Sequence, residues 1–528
     1  MMRTGCLRML RVLGFVGLAL MLATAGGIAH AWPDSDQKAA DEELEAWNLR
    51  SASAMVERLY TANPTDAFNL YLKGKVLHMR GQYREAIDWF AQARTQQEDG
   101  LFAHYEALAK STHEVTKDYA SALSPAGHFR IFHAPGLDAV LVPYAGEALD
   151  RAFVELTRIF DHVPETPIRV EIYPTVDVLG SVSPLTVAEI RTSGTIALCK
   201  YNRLMITSPR DLVYGYDWLD TLAHEFIHLL ITQKSKNRTP IWLHEGMAKY
   251  YEVKWRRDAK PELDRHSESF LAKAIKADTL IPFEAMSPSM AKLPSQEATA
   301  TAFAEVWTVM HFLESRAGGP VAAALTSRLG RGMNDREAVA DVASLPWDRF
   351  EKTWKAYLKQ QNFRVLDADY QQRLLFKGKD TEADELAGLK VDKARDHVWL
   401  GDRMRLRKRW PAAIDQYRKA ATHVGPNSPL VQGKLGYALL RADRFEEAAV
   451  ELRRPIAEHP RHVVLQVYLG EALLALGRYE EARKHLEEAL TINPFDPDVH
   501  AHLARVYEQL GLADKAAIER NAQQLVNP

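Results

Sequence analysis

Residues 221–252 read TLAHEFIHLLITQKSKNRTPIWLHEGMAKYYE, two apolar helical stretches joined by a polar loop. In the first, His224 and His228 stand four residues apart. That spacing puts both imidazoles on one helix face, within reach of a single metal ion. Glu225 is turned about 100° from His224, so it can serve a water at the ion rather than bind the ion itself. Zinc lowers the pKa of such a water to about 7, and a carboxylate beside it can take the proton. The plain alternative is two surface histidines on an ordinary helix. Against it, Leu222, Ala223, Phe226, Ile227, Leu229 and Leu230 make the helix apolar nearly all round. Two histidines and a glutamate on a buried helix need partners, and a metal supplies them.

A third ligand follows from the second stretch. A helix starting near Leu243 and running back antiparallel brings Glu245 beside His224 and His228, and Gly246 and Ala248 permit close packing. His244 diverges by about 100° from Glu245 and cannot share its role. Asp220, four residues before His224, and Glu252, seven after Glu245, lie on their partners' helix faces. Either could hold a ligand imidazole from outside the metal shell; otherwise both are solvated charges. Trp242 and Trp255 are expected in the core.

Upstream the pattern changes to period two. His128-Phe-Arg-Ile-Phe132 and Ile168-Arg-Val-Glu-Ile172 alternate as strands, with an amphipathic helix at 145–160 between them. Strands at 195–199 and 204–207 flank Tyr201-Asn202 as a hairpin. From Trp218 to about 375 the chain reads as helical. The expectation is an α+β domain at 120–375. Cys199 sits in an apolar strand pattern and is expected buried and inert.

Both flanks repeat. Leu400-Gly401, Leu435-Gly436, Leu469-Gly470 and Leu503-Ala504 recur 35, 34 and 34 residues apart, each followed twelve residues later by Ala413, Ala448, Ala482 or Ala516. Trp410, Phe445 and Tyr479 precede the first three of those alanines, and Pro426, Pro460 and Pro494 punctuate the units. Pro64, Gly74, Tyr83 and Ala86 hold the same offsets near the front. These segments, 36–115 and 390–528, resemble tetratricopeptide repeats. Their small residues let paired helices approach closely, and their prolines end the second helix. Such repeats stack into surfaces that bind peptides or proteins.

The composition is that of a soluble protein: 47% hydrophobic, 26% charged and a formal net charge of -2 over 528 residues. No basic excess points to nucleic acid. Arg3, Arg8 and Arg11 followed by an apolar run and Ala29-His30-Ala31 read as a secretory signal peptide, 1–31. A retained anchor is the alternative, since the run is about long enough to span. Cleavage removes three arginines and no acid, leaving the mature chain mildly acidic and Cys199 its only thiol. No intramolecular disulfide can then form. The expected location is the bacterial periplasm or outside the cell, with no membrane contact after cleavage.

HExxH followed by WLHEGMAKYYE resembles the gluzincin metallopeptidases, the class of thermolysin and the zinc aminopeptidases. The longer stretch 208–252 is similar to bacterial Peptidase MA-like domains. The resemblance implies a multidomain, mainly α chain: a thermolysin-like α+β zinc peptidase domain between α-solenoid repeat segments. It implies Zn2+ held by His224, His228 and Glu245, with Glu225 as general base and acid. No GxMEN-type segment is present, which argues against an aminopeptidase. The transition-state donor is not fixed by a motif; Tyr250, Tyr251 and His311 are candidates, and Phe303 stands where the resemblance leads one to expect a tyrosine. The expected function is an exported zinc metalloendopeptidase whose repeats recruit a protein substrate or partner. The alternative is a non-catalytic tetratricopeptide scaffold with a structural or degenerate zinc site. A different metal hydrolase is weaker still, since no phosphate loop or paired-carboxylate glycosidase site is present.

Overall fold

Helix pairs packed through small residues stand on both sides of a five-stranded sheet. The computed structural model describes residues 34–256, 260–366, 374–377, 386, 389 and 391–527. The signal peptide read at 1–31 lies outside them. Before the sheet come helices Ser35–Glu45, Leu49–Ala62, Ala67–Met79, Tyr83–Gln96 and Gly100–Thr116. Asp34, Asp66 and Asp99 cap three of these by accepting from backbone N–H groups of the first turn. Beyond the sheet domain, four helix pairs run from Asp392–Leu406 to Ala513–Val526. The repeated glycine has a direct physical reason. A Cβ on Gly74 would stand 2.6 Å from the Phe90 ring, and one on Gly436 2.6 Å from Leu452 Cδ2.

The sheet is mixed. Strands β1 (Ala120–Leu123), β2 (Phe129–His133), β3 (Ile168–Tyr173), β4 (Ala197–Lys200) and β5 (Arg203–Thr207) lie in the order β1-β2-β3-β5-β4. β2, β3 and β5 are parallel neighbours, and β1 and β4 pair antiparallel at the two edges. Helix Leu141–Phe160 makes the crossover from β2 to β3. Tyr201 and Asn202, with φ of 55° and 58°, turn the β4–β5 hairpin. Positive φ at both central residues fits the right-handed twist of the strands. The sequence pattern anticipates four of the strands but not β1. Its residues are mostly exposed, so no apolar alternation marks it.

The middle of the chain continues with helices Trp218–Ser235, Ile241–Tyr251, Arg265–Ala277, Gln296–Ala317, Ala322–Gly330, Asp335–Ala343 and Trp347–Gln360. The fold is mainly α, with the small sheet between repeat segments. Leu72, Phe90 and Phe102 of the N-terminal helices belong to one hydrophobic core with Ile131, Val170 and Phe226, while the C-terminal repeats keep a core of their own around Leu435, Leu469 and Leu503. Among the described residues, no helix is long and apolar enough to cross a membrane.

A buried carboxylate keys the N-terminal helices to the sheet. Glu171 on β3 accepts from Tyr83 Oη and from Arg169 Nε, each at 2.5 Å, and from Tyr173. Arg203 on β5, itself fully buried, lies 3.2 Å from the other Glu171 oxygen and donates to Tyr83.

Candidate metal centre

The helix Trp218–Ser235 lies on β4 and β5, and the return helix Ile241–Tyr251 packs along it. Their contacts run Thr232 to His244, His228 to Glu245 and His224 to Glu252, so the two helices are antiparallel. Gly246 makes the approach to helix Gln296–Ala317 possible; a Cβ there would stand 3.1 Å from Val306 O.

Two imidazoles converge on one carboxylate oxygen. His224 Nε2 is 3.2 Å and His228 Nε2 is 3.4 Å from Glu245 Oε2. Tetrahedral ligands at zinc distances of 2.0–2.1 Å stand about 3.3 Å apart, so this donor set has the size of a zinc site. His224, Glu225 and His228 form a metal-capable group among the described residues. Glu225 Oε2 is buried with no hydrogen-bond partner among them. A buried carboxylate oxygen with no donor is costly unless a metal, water or substrate faces it. The residues therefore fit the metal.

Each imidazole is also gripped from behind. His224 Nδ1 donates to Glu252 Oε2 at 2.9 Å, and Lys249 Nζ donates to the other oxygen of Glu252 at 2.5 Å. His228 Nδ1 lies 2.6 Å from His244 Nδ1, and His244 Nε2 is 3.3 Å from Thr232 Oγ1. Of the two residues considered as outer supports, Glu252 touches His224. Asp220 instead accepts from Trp255 Nε1 at 2.7 Å and from Arg256. The contact from His244 to His228 was not anticipated. Its signal is the step of one residue from Glu245, which turns the ring onto the outer side of His228.

The charges follow from burial and proximity. Burial pushes the Glu225 carboxyl up to about 7 against the pull of His228 and His224. Burial would raise Glu245 as well, but the His228 charge and hydrogen bonds from both imidazoles hold it well below the carboxylate range. Burial disfavours a charge on His224, yet its hydrogen bonds to Glu245 and Glu252 carry it up to about 10. Burial holds His244 well below the ordinary histidine value.

A cleft of about 620 Å³ opens over these groups, walled by β4, Met290, Phe303 and, from the N-terminal helices, Trp47. Phe303 stacks edge-on to His224, ring centres 6.1 Å apart. The expectation of a buried Cys199 is corrected: on the edge strand β4 it is half-buried and lines the cleft. Burial first, and Glu225 second, push its thiol well above the ordinary value, so it stays protonated. The three donor candidates are corrected too. Tyr250 Oη donates to Glu314 at 3.1 Å, Tyr251 Oη donates to the same carboxylate, and His311 stacks on Trp307. None of the three lines the cleft. Trp242 is buried as expected, stacked on Phe283 with its Nε1 donating to Asp335 at 2.8 Å. Trp255 is half-buried and packs against the core.

Residues 148–360 match the Peptidase MA superfamily. Tetratricopeptide repeat families match 38–100 and 402–462, and also 439–506 and 473–519. Among curated proteins there is no match. Among solved structures, the chain is similar to the "Crystal structure of MamA protein", 22% identical over 26% of this chain and 74% of that one, with a TM-score of 0.25. It is similar also to "MamA 41-end from Desulfovibrio magneticus RS-1", 16% identical over 27% of this chain and 84% of that one, TM-score 0.24. The chain thus carries a Peptidase MA superfamily domain flanked at both ends by tetratricopeptide repeats. That combination belongs to a protease-like or protein-interaction function.

Proposed function

We propose that the chain is an exported zinc-dependent metalloendopeptidase, with His224, His228 and Glu245 as ligands and Glu225 as general base and acid. The observation that carries this reading is the meeting of two Nε2 atoms and one Oε2 at 3.2 and 3.4 Å beside the unpartnered Glu225 Oε2. A bound zinc ion would supply Lewis acidity to a scissile carbonyl. The rest is work for the chain's own groups. β4 is an edge strand along the cleft, so its outer N–H and C=O groups can pair with an extended peptide. Glu225 takes a proton from the attacking water and delivers it to the leaving amine, the general base and acid work open to a carboxylate within reach of both. The repeats would present a protein substrate or partner, and residues 1–31 would direct export.

The second reading, a scaffold with an inert metal site, draws on Phe303 beside His224 and on the distance of Tyr250, Tyr251 and His311 from the cleft. One variant separates the two. Glu225→Gln should keep zinc and lose proteolysis of an unfolded protein substrate by a factor of about 100 to 10,000. Proteolysis at the wild-type rate in that variant would sink the metallopeptidase reading.

A further inference from the structure

The N-terminal turn of the metal-site helix is held by a charge cluster that the C-terminal repeats complete. Asp220, one turn before His224 and only 4% exposed, accepts from Arg256 Nε at 2.9 Å and from Arg256 Nη2 at 3.0 Å. It also accepts from Arg461 Nη2 at 3.2 Å, and Arg461 lies in the turn before the repeat helix Val463–Ala475. Arg461 bonds Glu488 of the next repeat helix and lies 3.5 Å from Asp217, while Arg256 Nη1 donates to Glu488 at 3.1 Å. Two arginines and three carboxylates thus join the metal-site helix, the segment after the return helix and the repeats. Bonds to two backbone carbonyls of the repeats close the same seam. Trp218 Nε1 donates to Leu490 O at 3.0 Å and Tyr216 N to Ile492 O at 3.1 Å.

We propose that Arg461, contributed by the C-terminal repeats, is a positioning residue for the metal centre. The repeats are then a working part of that centre and not only a tether. The inference rests on reading His224 as a metal ligand. Both supports of His224 pass through this cluster: the helix turn that carries it, pinned at Asp220, and Glu252, four residues before Arg256, which accepts from His224 Nδ1 at 2.9 Å. Arg461 is the group that brings positive charge to Asp220 and Asp217 from the repeat side. Removing it leaves the buried Asp220 with Arg256 and Trp255 Nε1, and takes from the half-exposed Asp217, at the start of the helix, the arginine 3.5 Å away. A buried carboxylate that loses a cation partner is destabilised, and the helix start that carries Asp220 is the part that would shift to relieve it. A protein engaging the repeats and shifting Arg461 would be coupled to the metal centre, and metal binding coupled to the repeats in return.

The test uses the full chain with Arg461→Gln and Arg461→Lys, and Arg478→Gln as control, since Arg478 pairs with Glu446 on the repeat surface. Hydrogen exchange of the metal-free proteins and zinc affinity by chelator competition are read together, with the absorption spectrum at saturating Co2+ reporting ligand geometry. Arg461→Gln should speed exchange across 218–228 and 252–256, weaken zinc binding by about tenfold and alter the cobalt spectrum, the effect expected for an outer support of a ligand. Arg461→Lys should recover part of each, and Arg478→Gln should match wild type. Faster exchange confined to the repeats, with 218–228 and the metal properties unchanged, would overturn the proposal. If wild type takes up no metal, the metallopeptidase reading falls while the exchange data still decide whether Arg461 holds this helix.

Discussion

His228 and His244 face each other Nδ1 to Nδ1 at 2.6 Å, so one imidazole supports another at the rim of the metal centre. Were His228 to offer Nε2 to a metal, as proposed, its Nδ1 would carry the proton and donate to His244. That would leave Nε2–H of His244 to donate to Thr232 Oγ1, 3.3 Å away. A metal on His228 would thereby set the tautomers of both rings.

His244→Ala should therefore weaken zinc binding by about 10- to 100-fold, because His228 loses the acceptor that orients it. His244→Asn, whose amide oxygen can accept the same proton, should recover much of the loss. Chelator competition on the two variants checks both values; wild-type affinity in His244→Ala would remove the role.

The seam between the N-terminal helices and the sheet carries a pH signature. Burial would raise Glu171, but Arg203 and Arg169 pull it from the ordinary 4.5 down to about 2. A folded value below the unfolded one means that the unfolded chain takes up the proton first as pH falls. The stabilisation is complete above pH 4.5 and is lost between there and pH 2, with a ceiling of about 3 kcal/mol. Glu171→Gln should flatten stability over that window. At neutral pH it should cost about 3–5 kcal/mol, because Arg203 is left buried without its carboxylate. Denaturant titrations at pH 7 and pH 3 measure both effects.

Phe303 offers a gain-of-function test. Its ring lines the cleft beside His224 and has no hydroxyl to donate to a developing oxyanion. Phe303→Tyr should raise kcat by on the order of tenfold, below the 100-fold or more that a well-placed donor supplies. Peptide cleavage assays with metal content held equal check this; an unchanged kcat would place the donor elsewhere.

The parts of the fold that repeat or alternate were legible from the residues. The 34-residue recurrence of Leu-Gly and Ala reflects close helix packing, and Gly436 against Leu452 shows why a larger residue does not fit. His224 and His228 could be paired from their spacing, because a helix makes neighbours of residues four apart. What escaped was contact between distant segments. Nothing local ties Asp220 to Arg461, although Arg461 Nη2 stands 3.2 Å from Asp220 Oδ2. Tyr250 and Tyr251 were misplaced for a geometric reason: five and six residues beyond Glu245, they are turned about 140° and 120° away from it. β1 escaped because its mostly exposed residues carry no apolar pattern, and Cys199 because an apolar alternation does not show that its strand is the sheet edge bordering the cleft.

The most direct measurement is zinc per chain in the purified protein by elemental analysis, with His224→Ala beside it. The account predicts about one zinc in wild type and none in the variant, since two imidazoles and one carboxylate are asked to hold one ion. A folded wild type that is metal-free and takes up no added zinc would contradict it.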